Sequence, residues 1–204
     1  MKGELRKKEI LEASKKVFST KGGYHEAHVE DVIREAKIGK GTFYQYFRNK
    51  EDLFVSLLEL FLDEWEAYVV KGIEGLEVVG ALDYMKLFIE KSIVFFYQDE
   101  YLCNIYLGSG VGFGSVFEPY IERFESRMLK YVVDVLESGL EHKQIREDLN
   151  VELSANIFLG AMLRIVYHNF VLKKHTKRSL DVEKISQEFF EIAKHGILPT
   201  GSIV

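Results

Sequence analysis

Cysteine occurs once, at Cys103, and proline twice, at Pro119 and Pro199, in a chain of 204 residues. A single cysteine forms no intrachain disulfide, which fits a reducing compartment, and without a resolving partner it reads as a small core residue rather than a redox centre. With so little proline, and few stretches that alternate polar and apolar residues, strands have almost no support. Long apolar runs are missing as well. Ile93-Val94-Phe95-Phe96-Tyr97 is far shorter than the roughly 18 residues that suggest a membrane span, so we expect no membrane insertion. The start, MKGELRKKEI, is charged and continues into a helical pattern with no apolar leader, so we expect no export and a cytoplasmic protein. The six histidines form no His-x-x-x-His pair or Cys/His cluster, and no Ser/His/Asp order or carboxylate pair stands out. The sequence therefore predicts no metal site, no catalytic centre and no cofactor. The glycine-rich "GSGVGFG" at 108–114 lacks a Gly-Lys-Ser/Thr continuation and a preceding strand, which removes both the P-loop and the dinucleotide fingerprint.

What the chain has instead is a split charge and helical periodicity. The net charge is −5, but residues 1–50 hold twelve Lys/Arg against seven Asp/Glu, a balance of +5, and residues 51–204 hold fifteen against twenty-five, a balance of −10. A basic head on an acidic body points to a local polyanion-binding face. Anionic lipid would satisfy the charge alone, yet the apolar face of the first helix is needed to close the head. We expect an all-α fold of about nine helices. The first covers about 3–20, with Leu5, Ile10, Ala13, Val17 and Phe18 on one face and a stop at Gly22-Gly23. A second covers about 29–37, and a third of barely two turns covers 40–47. Longer stretches follow at about 51–71, 79–98, 99–107, 115–142, 151–173 and 181–195. Asn49 is placed to cap the fourth helix, with Glu51 and Asp52 in its first turn.

The stretch "IGKGTFYQYFRNKEDLF", residues 38–54, is the most informative. Two short helices joined by a turn of three or four residues describe a helix-turn-helix. Gly39 and Gly41 let the backbone approach a phosphate, and Lys40 adds charge at the start of the third helix. Tyr44 and Gln45 lie where exposed residues of that helix reach a groove, and Lys50 would hold the other wall through a second phosphate. Singly, each tyrosine reads equally as a core aromatic and each lysine as a surface charge; their conjunction with the turn, the caps and the basic balance points to DNA.

Residues 10–54 resemble the DNA-binding domain of the TetR family of bacterial regulators, through "ILEASKKVF", then Gly23-Tyr24, then "VEDVIREAKIGKGTFYQYFRNKEDLF". The resemblance implies a three-helix DNA-binding domain over 1–48 and a larger helical ligand-binding and dimerisation domain over 49–204, in a bacterial or archaeal cytoplasm. It further implies that Lys40, Tyr44 and Lys50 hold phosphates and that Gly39, Gly41, Thr42, Gln45 and Tyr46 lie at or near double-stranded operator DNA. Gln45 is the candidate base reader, because glutamine pairs bidentately with adenine. Phe43 and Phe47 should face the core of the head with Val17, Phe18, Val32 and Ile33. Three features depart from the family pattern. His28 stands where a threonine usually caps the second helix and touches a phosphate. Lys37 replaces a common turn glycine, offers a phosphate contact and must adopt the backbone conformation glycine supplies. Gly22-Gly23 lengthens the first loop.

In the body, Trp65, Phe88, Phe95, Phe96, Tyr106, Phe113 and Phe117 are candidates to line a pocket for a small hydrophobic effector, with Arg123, Arg164 and His168 to orient it. The same rings can equally fill a core. In the last two long helices Ile157, Gly160, Ala161 and Arg164, with Val182, Ile185, Phe189, Ile192 and Ala193, present more apolar face than one core uses. The resembling family pairs these helices with their copies, which implies a homodimer on a palindromic operator; the alternative is monomer core. The function implied is a ligand-responsive repressor, not an enzyme, released from its operator by a small apolar or aromatic effector. The alternative is a constitutive or architectural DNA-binding protein with no effector pocket.

Overall fold

The computed structural model describes residues 2–74, 76, 80–98, 105, 117–172 and 181–198, and every regular element among them is helical. Helices α1 (Lys2–Thr20), α2 (Val29–Glu35) and α3 (Lys40–Tyr46) precede α4 (Lys50–Trp65), which runs through a π-helical turn (Glu66–Val70) into a short α-helical end (Lys71–Glu74). Then come α5 (Ala81–Gln98), α6 (Glu118–Glu141), α7 (Val151–Val166) with a second π-helical segment (Tyr167–Leu172), and α8 (Val182–Ile197). These make eight continuous helical runs among the described residues. The helix expected at 99–107 lies, apart from Ile105, outside them.

Local chemistry sets the helix ends. At the end of α1 the Gly23 N–H donates to the Phe18 carbonyl at 2.9 Å. Gly22 and Gly23 have φ of 87° and 98°, a left-handed backbone that glycine adopts without a Cβ penalty. The start of α4 is capped as expected, the Asn49 side chain accepting the Asp52 N–H at 2.8 Å. The Asp52 carboxylate in turn accepts the Arg48 N–H at 2.9 Å. Asn150 and Asp181 cap α7 and α8 in the same way, accepting from the N–H groups of Leu153 and Lys184.

The contacts divide the chain into two compact units, Met1–Asp63 with Asp99–Glu122, and Glu64–Gln98 with Arg123–Val204. In the first, α1 packs on α2 and α2 on α3, around Ile10, Phe18, Val32, Phe43, Phe47 and Leu53. In the second, α5 lies along α8 and packs on the first π turn and on α7, burying Val69, Ile73, Ile89, Met128, Leu136 and Met162. The 142–150 connection pins two helices of this unit. Gln144 Oε1 accepts the Ala81 N–H at 2.8 Å, and the Arg146 N–H donates to the Ile197 carbonyl at 3.0 Å.

Candidate nucleic-acid interface

Helix α3 is built on two rings one turn apart. Phe43 and Phe47 are fully buried, 5.7 Å between centroids, so that Lys40, Gly41, Tyr44 and Gln45 come out on the exposed side. Tyr44 is 49% exposed and braced edge-on against Phe43 at 5.2 Å, which holds a large amphipathic side chain on the surface in one orientation. Thr42 and Tyr46 are half-buried. Neither Gly39 nor Gly41 has a positive φ. A methyl placed on Gly41 would meet nothing within 4 Å, so its contribution is bare backbone on the exposed face rather than conformational freedom. Lys40 is 68% exposed and pairs loosely with Glu30 at 3.7 Å, an exchangeable contact in water.

The turn before α3 carries the strain expected at position 37. Lys37 has a φ of 53°, in the left-handed region, and its side chain is exposed; beyond it the Ile38 N–H closes on the Ile33 carbonyl at 3.2 Å. Ile33, expected in the core, is only half-buried. His28 occupies the extended cap position of α2. There the Asp31 carboxylate accepts the His28 N–H at 3.2 Å, and this bond first, with the Lys21 ammonium, holds the Asp31 carboxyl below its ordinary value.

The structure gives Lys50 a different task from the phosphate clamp expected of it. Its Nζ lies 2.8 Å from the Tyr24 carbonyl, 3.0 Å from that of Ala27 and 3.4 Å from that of His25, and 4.3 Å from the centre of the Tyr24 ring. An ammonium has three donors, and each here has a carbonyl in the α1–α2 loop. Phe117 also departs from its expected role in an effector pocket. It belongs to the same unit and packs on Tyr24 at 4.7 Å and Phe54 at 4.8 Å, closing an aromatic cluster with Phe18.

The other pocket candidates do not converge. Trp65, Phe88, Phe95 and Phe96 are buried, with Trp65 5.9 Å from Phe88 and 5.4 Å from Phe124, while Phe95 packs against Tyr68 and Phe96. Arg123 and Arg164 are exposed, the Arg164 guanidinium 5.5 Å from the Tyr167 ring, so neither sits inside a core pocket as expected. His168 is half-buried in the second π segment. Tyr106 and Phe113 lie outside the described residues. A groove of about 490 Å³ is lined by Glu74, Tyr84, Tyr131, Asp134, His142 and Gln144, all outside the candidate set. At its edge the Tyr131 hydroxyl donates to Glu66 Oε1 at 2.8 Å, and Arg127 donates to Glu66 Oε2 at 3.0 Å. Burial and then the bond to Glu66 push the Tyr131 hydroxyl up to about 12.

The candidate dimer residues do gather. Ile157, Ala161, Phe189, Ile192 and Ala193 line one apolar groove of about 320 Å³, with Ile157 63% and Ile192 75% exposed at its rim. Gly160 is exposed with open space around it, Arg164 is exposed beside it on α7, and Val182 and Ile185 are half-buried.

Residues 10–57 match the sequence profile of bacterial regulatory proteins, tetR family. This N-terminal segment of the chain is similar to the DNA-binding domain of that family. The HTH-type transcriptional repressor KstR2 of Rhodococcus jostii (strain RHA1) is 26% identical over 156 residues, covering 73% of this chain and 72% of its own. The transcriptional regulator FadR from Bacillus subtilis, solved with stearoyl-CoA, has the same fold, with a TM-score of 0.82 at 23% identity over 93% of this chain and 98% of that one. AibR, solved with isovaleryl coenzyme A and operator DNA, matches with a TM-score of 0.73 at 17% identity over 92% and 97%. Within this head, two contributions escape a reading of the sequence alone. Asp31 was discoverable, because an acidic residue three positions after a helix cap is half of a capping box. The carbonyls around Lys50 were not, since backbone groups more than twenty residues away leave no mark in residue type.

Proposed function

We propose that the chain is a ligand-responsive transcriptional repressor that binds a palindromic operator as a homodimer and is released by a small apolar effector. The observation that carries the DNA half is the exposed face of α3, where Lys40, bare Gly41, braced Tyr44 and Gln45 lie opposite the buried Phe43 and Phe47. Lys40, Tyr44 and Lys37 meet phosphates, Gln45 reads a base edge, and Gly39, Thr42, Tyr46 and His28 border the contact. Residues 1–48 serve as the DNA-binding domain and 49–204 as the effector and dimerisation domain, in the cytoplasm. The apolar groove of α7 and α8, with Ile157 and Ile192 exposed, supports an isologous dimer. Acyl thioesters are the effector class favoured by the FadR and AibR complexes. The mechanism is linkage: an effector that binds better to the form whose two α3 helices are wrongly spaced for successive major grooves must weaken operator binding by its differential affinity. The edge-on packing of Trp65 with Phe88 and Phe124 favours, as a second reading, a constitutive DNA-binding protein with a filled core.

Genomic selection followed by footprinting should recover a site with two half-sites about one helical turn apart. Titrating stearoyl-CoA and isovaleryl-CoA at fixed salt should then weaken binding to it. A protein that selects no preferred duplex loses the whole proposal, and one whose operator affinity ignores every acyl-CoA becomes the constitutive binder.

A further inference from the structure

Besides the Arg146 Nε, which faces Asp148 at 3.5 Å, two polar groups in the second unit lie fully buried with no hydrogen-bond partner among the described residues, the Trp65 indole N–H and the Ser92 hydroxyl. Native cores rarely leave such groups unanswered, because a desolvated donor gives up its water and gains nothing in return. Ser92 sits one turn along α5 from Phe88, the ring against which the indole packs at 5.9 Å, so both groups belong to the α4 side of α5. The α-helical ladder changes to a π turn immediately after Trp65, and such irregularities concentrate at functional sites. Around the indole the surface is otherwise aromatic, from Phe88, Phe124 and Tyr131.

We propose that Trp65 and Ser92 are the polar anchor of the effector site, and that the effector is a long apolar molecule carrying a neutral carbonyl, an ester or thioester rather than a free carboxylate. This rests on the ligand-responsive reading above and narrows its chemistry. The indole N–H only donates, so its partner must be an acceptor, while the serine hydroxyl can donate to the same oxygen or accept from a neighbouring group. The local charge decides between acceptors. Glu66 follows Trp65 in the chain and holds Tyr131, whose ring lies 5.9 Å from the indole, and Arg127 is already paired with that carboxylate. A carboxylate buried beside the half-buried Glu66 would be repelled and would forfeit its hydration, whereas a carbonyl oxygen loses far less.

Trp65 is the only tryptophan, so its indole N–H gives one resonance in the ¹⁵N-labelled full-length chain. Three probes are titrated: stearoyl-CoA, the S-octadecyl thioether of CoA, which keeps chain and head group but lacks the carbonyl, and stearate. Stearoyl-CoA should move the indole proton downfield and bind about fivefold to tenfold more tightly than the thioether, which should leave the proton near its starting position. In Trp65→Phe the two CoA probes should bind alike; if that variant does not fold, the wild-type comparison decides alone. An indole proton that responds equally to both CoA probes, while stearoyl-CoA still releases the operator, overturns the anchor and leaves the ligand-responsive reading standing. Stearate binding as tightly as the thioester overturns the neutral-carbonyl assignment. If none of the three binds or changes operator affinity, the acyl effector class fails and the anchor falls with it.

Discussion

With its side chain 68% exposed and only a loose pairing to Glu30, Lys40 can exchange that carboxylate for a phosphate at little cost, whereas Lys50 is held by three loop carbonyls. Lys40→Ala should therefore weaken binding to all duplexes and reduce the slope of log affinity against log salt by about 0.9, the share of one phosphate. Lys50→Met should leave that slope unchanged and lower folding stability by about 1–2 kcal/mol, because the loop loses charge-assisted bonds. Salt titrations and urea melts on the two variants read these outcomes, and a reduced slope in Lys50→Met would return that residue to the phosphate. Tyr131 makes a different test possible. Its hydroxyl is raised from 10.0 to about 12 in the fold. Above pH 10 the unfolded chain sheds a proton that the folded chain keeps, so this contribution is intact below 10 and is lost as pH rises toward about 12. Tyr131→Phe should flatten the alkaline decline in urea midpoints without abolishing it, since burial raises Tyr24 and Tyr84 as well.

Helix α3 has seven residues, too few to persist alone, and it stands because Phe43 and Phe47 are anchored in the head. Gly41 adds nothing to that anchoring. Gly41→Ala should stabilise the free protein by about 0.5 kcal/mol through helix propensity, yet weaken operator binding by about 1–2 kcal/mol where the added methyl separates backbone from phosphate. Thermal melts and binding isotherms on one sample give both signs; an unchanged affinity would show that the backbone at 41 stays clear of the duplex. This division between anchor and face was legible in the sequence because apolar spacing sets which side of a short helix is buried. Caps were legible for the same kind of reason, Asn49 and the Gly22-Gly23 stop acting through neighbours in the chain. The placement of Phe117 beside Tyr24 and Phe54 was not, since long-range packing between rings is degenerate in residue type. Nor was the Trp65 N–H foreseeable as an orphan, because a partner's absence is a property of the whole core.

For the molecule entire, the basic head and acidic body impose an order of events. The body repels a polyanion while the first fifty residues attract it, so approach to DNA is oriented before any base is read. In the proposed function, dimerisation then sets the spacing. Ile157→Asp combined with Ile192→Asp places charges at the rim of the apolar groove and should convert a dimer to a monomer in sedimentation equilibrium, with loss of binding to a full palindrome at concentrations that saturate the wild type. Persistence of the dimer would move the interface off α7 and α8. The π segments carry a last implication for the polypeptide as a coded object. A ring closed from residue i to i+5 contains one more residue than an α-helical ring over nearly the same path. Deleting the exposed Ala67 from Glu66–Val70 would let the ladder close regularly and keep the flanking side chains in phase. A gene one codon shorter at that point would then specify the same bundle.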